Sequence, residues 1–350
     1  MESLTKRPVS TDELAAMVRQ GFGDRAEVAA WSEVAEGSFN AVYLLTLAGP
    51  DEEVVLKVAP DPGLRLLTYE VDLMRTEIEF YRRAGAAGVP VPEVMFADLE
   101  RRVLETDYVF LSRIPGVPLN TVREQMSETE LAALRAELAG ITAGLHAVTG
   151  SGFGYPLRAS RTWKSTWREA FGLMIDDILA DAVRLKSELP AAPQRIEALI
   201  RCHDDVLDQA ERPALVHFDL WDGNVFVNHQ GGGRWRITGL IDGERAFFGD
   251  PVAELVSLAL YRDVTNRPEL LSGYAAGSPV AQAWLSAEAP IELSDGARRR
   301  LALYATYLYL IMGIEGVTRG FHGPDYDGSR RRVLDLLEEW LGELGRRASN

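Results

Sequence analysis

Between Leu215 and Ile241 a β-patterned stretch interrupts sequence that is otherwise helical from Ser127 to the C-terminus. Its first arm reads Leu215-Val216-His217-Phe218-Asp219-Leu220-Trp221-Asp222-Gly223-Asn224-Val225-Phe226-Val227. Its second reads Trp235-Arg236-Ile237-Thr238-Gly239-Leu240-Ile241-Asp242, with a turn at Gly231-Gly232-Gly233. Two apolar arms joined by glycines predict a hairpin. Both arms stay apolar up to each polar residue, so Asp219, Asn224 and Asp242 are expected at one end of a small ribbon.

The sequence before Pro115 has the opposite texture. Ser10 and Glu13 make a capping box for a short helix over Leu14, Met17 and Val18 that stops at Gly21. From Glu27 to Ala59, Val42, Leu44 and Thr46 alternate with Tyr43, Leu45 and Leu47, and Val54, Val55, Leu56 and Val58 follow. This β-branched, period-two pattern predicts strands joined at Gly49-Pro50-Asp51. Val71, Met74, Ile78 and Tyr81 then recur at helical spacing as far as Gly85 to Gly88, and two short strands follow, the second at Tyr108 to Leu111. Pro115-Gly116-Val117-Pro118 breaks the pattern and reads as a linker. Beyond it, a capping box at Ser127 and Glu130 opens a helix with the face Leu131, Leu134, Leu138, Ile141, Leu145 and Val148. Further helices are expected over Trp163 to Leu189 and Arg195 to Ala210. Strands first and helices after predict an α+β chain of two lobes, divided as 1–114 and 115–350.

The net charge is −15 with 25% charged residues, which argues against a binder of nucleic-acid backbone and against docking on anionic membrane. The one cysteine, Cys202, permits no internal disulfide and suits a reducing compartment. The first residues lack the apolar run of a signal peptide. Leu301 to Ile314 is interrupted by Thr306 and Gly313 and followed by Glu315, so it reads as a buried helix. A cytoplasmic location is expected.

Singly, Asp219, Asp222-Gly223-Asn224 and Asp242 are ordinary turn and strand-end residues. Together they match the needs of phosphoryl transfer: a carboxylate to orient a hydroxyl and take its proton, and hard oxygen ligands for Mg²⁺ beside phosphates. The turn Glu36-Gly37-Ser38-Phe39-Asn40-Ala41-Val42-Tyr43 can bring backbone N–H groups to phosphate oxygens. Lys57 is a charge inside an apolar strand, which points outward or meets an anion. Glu77, at the edge of the following helix's apolar face, is its expected partner; Glu70 is the second candidate, and Glu79 faces away.

This set resembles the aminoglycoside phosphotransferase and choline-kinase-like family, small-molecule relatives of protein kinases. The resemblance rests on His217-x-Asp219-x-x-x-x-Asn224, Ile241-Asp242 and Gly249-Asp250-Pro251. Val89-Pro90-Val91-Pro92 and Leu145-His146 before Gly152-Phe153-Gly154-Tyr155 extend it over roughly residues 30 to 260. It implies a two-lobed protein-kinase-like fold, with Asp219 as catalytic base and Asn224 and Asp242 as magnesium ligands. Lys57 would contact the α- and β-phosphates with Glu77 as its partner, under a turn holding Ser38 and Asn40. Phe110 to Ile114, including Leu111 and Arg113, would be the hinge carrying the base of ATP or GTP, and Asp250 would fix the loop after Asp242.

Two positions depart from the pattern: Phe218, where such sequences have a small or polar residue, and Gly243-Glu244 after Asp242. Glu244 is open as a further metal ligand or a solvated side chain. The activity implied is transfer of a γ-phosphate to a hydroxyl of a small molecule, in the first place an antibiotic, either an aminoglycoside or another kind such as a nucleoside type. A metabolic kinase for choline, a sugar or an amino-sugar is the alternative, and a nucleotide-binding scaffold the reading from another class. A protein kinase fits poorly, because only seven residues separate Asp242 from Asp250. Acceptor-pocket candidates are Asp176, Asp177 and Asp181, the stretch Trp163 to Trp167, and Tyr304, Tyr307 and Glu315. The simpler reading is preferred for each, the aspartates as a solvated helix face and the tyrosines as a core stripe, since surface charge and buried aromatics are the norm.

Overall fold

The computed structural model describes residues 3–35, 37–48, 53–157, 160–230, 234–278, 281–286 and 290–348. Glu36 and the turns expected at Gly49-Pro50-Asp51 and Gly231-Gly232-Gly233 lie outside the described residues.

The first helix, α1 (Thr11–Phe22), carries the capping box: the Ser10 side chain accepts from the Glu13 N–H and the Glu13 carboxylate accepts from the Ser10 N–H. Its face of Leu14, Met17 and Val18 packs on one side of an antiparallel sheet. The sheet holds β1 (Val28–Glu33), β2 (Ala41–Leu47), β3 (Glu53–Val58), β4 (Val94–Asp98) and β5 (Tyr108–Ser112), in the order β1-β2-β3-β5-β4. In the inner strand β3, Val54, Leu56 and Val58 join the cluster under α1, and the alternation of side chains turns Val55 and Lys57 to the other face. That face is covered by α2 (Leu73–Ala86), through Met74, Ile78, Phe80 and Tyr81.

The expected start of α2 is corrected. Val71 lies before the helix and is 63% exposed, because the Glu70 carboxylate folds back onto the Leu67 N–H (2.8 Å) and closes a separate turn at Thr68–Glu70.

The segment read as a linker is itself paired: β6 (Val117–Pro118) lies against Val227 and Phe226. Gly116 (φ 108°) makes this possible, since a Cβ there would stand 2.3 Å from the Val227 carbonyl oxygen. After the short α3 (Leu119–Val122) comes α4 (Glu128–Leu145), with its capping box and with Leu131, Leu134, Leu138 and Leu145 buried. The next two helices are shorter than expected. α5 (Trp167–Leu185) begins where Thr166 caps it and ends at left-handed Lys186; α6 (Pro193–Arg201) begins on its proline.

The expected single hairpin is also corrected, since its first arm is broken in two. β7 (Ala214–Val216) pairs with β10 (Phe247–Gly249), whereas β8 (Val225–Gln230) pairs with β9 (Arg234–Leu240) and β6. The residues between, 217–224, form a loop. Four helices complete the chain: α7 (Glu254–Leu258), α8 (Pro268–Gly277), α9 (Asp295–Thr318) and α10 (Pro324–Ala348). By length and composition α9 is apolar enough to cross a membrane, but its residues from Leu301 to Ile314 are almost all buried among the other helices, as a core helix would be. The order of strands then helices is α+β as expected. The cluster under α2 continues into Leu119, Leu134, Leu215, Val225 and Leu240, so one core joins the sheet to the loop and ribbon below it.

Candidate active site

Lys57, on the α2 side of β3, meets Glu77 as the sequence suggested. Its Nζ donates to Glu77 Oε1 and Oε2 at 2.7 and 2.8 Å, and both residues are buried. The same ammonium reaches across to Asp242 Oδ1 at 2.5 Å. Burial opposes its charge, yet Asp242, Glu77 and Glu244 together hold the Lys57 pKa above the ordinary value. Tyr81, one turn after Glu77, fixes this arrangement: its hydroxyl donates to Glu77 Oε1 (2.6 Å) and accepts the Asp242 N–H (2.9 Å). Read from sequence only as part of an apolar face, it is a site residue that periodicity concealed.

Asp219 lies on the 217–224 loop, a fifth of its side chain open to solvent. Asn224 Nδ2 donates to the Asp219 carbonyl (2.8 Å) and to its Oδ2 (3.2 Å). His217 laces this loop to the end of β9. Its Nδ1 accepts the Asp219 N–H (3.2 Å), which leaves Nε2 to donate to the Ile241 carbonyl (2.9 Å). These partners assign the neutral Nε2–H tautomer, in keeping with burial, which lowers the His217 pKa. Burial pushes the Asp219 pKa up to about 7; Arg245 opposes this, while Asp242 and Glu315 add to it. The Asn224 carbonyl accepts the Ile241 N–H (3.0 Å), so Asn224 and Asp242 are held at neighbouring ends of the ribbon.

A sequence model of the phosphotransferase enzyme family matches residues 30–289. The chain belongs to that family. Hygromycin-B 4-O-kinase of Escherichia coli is 27% identical over 217 residues, 59% of this chain and 60% of that protein. The rat (Rattus norvegicus) acyl-CoA dehydrogenase family member 11 is 22% identical over 252 residues, 69% of this chain. The match spans only 29% of the rat protein, so the chain corresponds to a part of that relative. Among solved structures, a thermostable mutant of aminoglycoside phosphotransferase APH(4)-Ia, in ternary complex with AMP-PNP and hygromycin B, superposes with a TM-score of 0.62. It has 18% identity and covers 95% of this chain and 99% of that one. The fold is therefore the two-lobed, protein-kinase-like one that the sequence implied.

The motif residues come together here, and the two departures have physical reasons. Phe218 sits in the left-handed region (φ 62°), where a bulky residue needs support. Its ring stacks on Tyr307, and its N–H is taken by Glu254 Oε1 at 2.9 Å. Glu254 also accepts the His217 N–H (2.7 Å) and the Ser257 hydroxyl (2.7 Å). These bonds draw residues 217 and 218 out of a strand ladder and set Asp219 in the loop. Sequence reasoning missed Glu254; its place four residues after Asp250, at the start of a helix, was the available signal. Gly243 is required because a Cβ there would stand 2.2 Å from the Phe80 ring. Glu244 is not a free solvated side chain: it accepts from Asn40 Nδ2 at 2.9 Å, and burial raises its pKa to about 8.

Replacing Glu254 with Gln is expected to lower stability by about 2–4 kcal/mol, since a neutral amide cannot serve three buried donors as a carboxylate does. A shift of the urea midpoint measures it; an unchanged midpoint would show that the loop is held by something else.

The other expected residues divide. Ser38 is close by: its Oγ accepts from Arg319 Nη1 (2.8 Å), and its carbonyl accepts from Ser3 and Thr5. Leu111 is buried in β5 opposite Val55, whereas Arg113 pairs with Glu53 on the sheet surface, away from Lys57. Asp250 accepts from the Val252 N–H, Arg300 Nε and the Tyr304 hydroxyl, which ties the end of the loop after Asp242 to α9. Glu70 pairs with Arg319, not Lys57, and Glu79 with Arg83. A cavity of about 550 Å³ lies against Glu79, Arg83, Trp163 and Phe248, and none of the motif residues lines it.

Proposed function

We propose that this chain is a magnesium-dependent small-molecule kinase that moves the γ-phosphate of ATP or GTP to an alcohol hydroxyl. The observation that carries this reading is the bridge from Lys57 to both Glu77 and Asp242, beside an Asp219 tied to Asn224. Residues 1–114 would be the nucleotide lobe and 115–350 the catalytic lobe, with Ser38 and Asn40 over the phosphates and Leu111 and Arg113 in the hinge. The single, exposed Cys202 suits a cytoplasmic setting.

The residues fit a hard dication. Carboxylate oxygens of Glu77, Asp242 and Glu244 lie within 4.8 Å of one another, and the Lys57 ammonium bonded to Glu77 and Asp242 offsets only part of their negative charge. Asn224 spends its amide nitrogen on Asp219, which leaves its amide oxygen as a ligand. Asn224 and Asp242 would hold Mg²⁺, which when bound offsets the phosphate charge that repels a nucleophile. Asp219 accepts the hydroxyl proton on a carboxylate oxygen as that hydroxyl's oxygen bonds to the γ-phosphorus. The bond from phosphorus to the β,γ-bridging oxygen breaks, and the nucleoside diphosphate leaves. Lys57, kept charged by its carboxylates, holds the α- and β-phosphates.

For the acceptor, the likeness to hygromycin-B 4-O-kinase supports a hydroxylated antibiotic, with resistance as the consequence. A metabolic hydroxyl compound is favoured by a different observation: Asp176, Asp177 and Asp181 are engaged by Arg201, Arg161 and Arg184, so they offer no free carboxylates to the ammonium groups of an aminoglycoside. A screen of triphosphate consumption across antibiotics, amino alcohols and sugars, with ATP and with GTP, tests the reading. Acceptor-dependent consumption abolished by EDTA is expected. Nucleotide binding without consumption in the presence of any acceptor would instead favour a scaffold.

A further inference from the structure

Beside Asp219 the protein places two buried arginines, and the carboxylates around them, Glu315 and Asp242, are already paired. Arg245, eight per cent exposed, donates to Glu315 at 2.7 Å, while its Nη1 stands 3.6 Å from Asp219 Oδ1, beyond hydrogen-bonding distance. Arg319, four per cent exposed, bonds Ser38, Glu70 and Glu315 through its terminal nitrogens, and its buried Nε has no partner. The Tyr69 hydroxyl, also buried, has no partner either, and Arg245, Glu70, Glu315 and Arg319 are the charges that act on it. Buried donors are nearly always satisfied, so two without a partner, beside an Arg245 that stops short of a hydrogen bond to Asp219, call for an acceptor atom from a ligand.

The acids of the same region are spent. Glu315 is shared between Arg245 and Arg319 (2.7 and 2.9 Å), and Glu70 between Arg319 and the Leu67 N–H. Asp181 takes the Thr68 N–H, the Thr68 hydroxyl and Arg184; Asp177 takes Arg161. An ammonium group placed here would have to displace a guanidinium from its carboxylate. An anion meets donors that are already waiting.

We infer that the acceptor of this kinase carries an acidic group, a carboxylate or a phosphate, near the hydroxyl to be phosphorylated, and that Arg245, Arg319 and Tyr69 receive it. The inference rests on the kinase reading above and narrows its substrate class to hydroxylated acids. Arg245 is then a specificity-determining residue: it lies beside the base and selects the acceptor by charge.

The test compares six-carbon acceptors that differ in charge, gluconate, glucose and glucosamine, with glycerol 3-phosphate to separate phosphate from carboxylate and kanamycin as a polycation. Transfer from γ-labelled ATP and GTP is measured for each. With charge-assisted bonds of ordinary strength, kcat/KM for gluconate or glycerol 3-phosphate should exceed that for glucose by about tenfold or more, with glucosamine below glucose. Whichever anion leads identifies the acidic group. Arg245→Gln should bring the anion-to-neutral ratio close to one, and Arg245→Lys should retain part of it. The wild-type ratios decide the matter even if Arg245→Gln fails to fold. Preference for glucosamine or kanamycin, or a ratio that Arg245→Gln leaves unchanged, overturns the inference while the kinase reading stands. Transfer to no acceptor, with nucleotide bound, removes the kinase reading and the inference with it.

Discussion

Replacing Asp219 with alanine is expected to leave nucleotide binding nearly intact and to lower turnover by about two to four orders of magnitude, the usual cost of losing a general base. The loop should survive the change, because its backbone is tied by Glu254 at His217 and Phe218, and by His217 to Ile241, none of which involves the Asp219 side chain. One side-chain bond is lost, from Asn224 Nδ2 to Asp219 Oδ2, while the bond from the same nitrogen to the Asp219 carbonyl remains. Initial rates with a competent acceptor, beside a titration of nucleotide, separate the two effects. Turnover at the wild-type level would remove Asp219 from the chemistry.

Lys57→Met should be nearly as damaging, and by two routes. The ammonium is the only cation bonded to Glu77 among the described residues, and it is bonded to Asp242 as well. Its loss leaves Glu77 a buried charge without a counter-ion, which costs about 3–5 kcal/mol. Loss of the phosphate contact should lower kcat/KM for the triphosphate by at least about a hundredfold, the scale found when a charge-stabilising donor is removed. A second variant tells the routes apart. Lys57→Met combined with Glu77→Gln should recover part of the stability in urea, since the orphaned charge is gone, and should recover none of the activity. Wild-type kinetics in the single variant would assign the phosphates to another cation.

Much of this site is legible in the sequence because local rules fix it. Lys57 betrays itself as a charge in an apolar strand, and helical spacing puts Glu77 at the edge of a buried face, so their pairing needs only that the helix cover the strand. The capping boxes at Ser10 and Ser127, and the apolar length of α9, are readable for the same reason. What escaped depends on contacts distant in sequence. The run from Leu215 to Val227 has the composition of one strand, and only Glu254, 36 and 37 residues further on, shows that its backbone N–H groups are taken elsewhere. Val71 continues the helical period by residue type, yet the Glu70 carboxylate closes the turn before it. Tyr81, Arg245 and Arg319 left no mark because an aromatic on a buried face and an arginine near a helix end are commonplace. Their roles arise where α2, the loop after β9 and the end of α9 meet.

The acceptor side escaped for a related reason. Asp176, Asp177 and Asp181 form one acidic run in sequence, but Asp181 is buried against Thr68 and Arg184, whereas Asp176 meets Arg201 at the surface. A charge run does not reveal which of its members are already neutralised.

Binding of Mn²⁺, followed by electron paramagnetic resonance with and without a non-hydrolysable triphosphate, probes most directly the claim that Asn224 and Asp242 gather a metal-bound triphosphate before Lys57 and Asp219. The free-ion signal should fall when protein and triphosphate are both present, should be restored in Asn224→Ala and Asp242→Ala, and should stay low in Asp219→Ala. Capture of the ion that neither Asn224→Ala nor Asp242→Ala disturbs would contradict it.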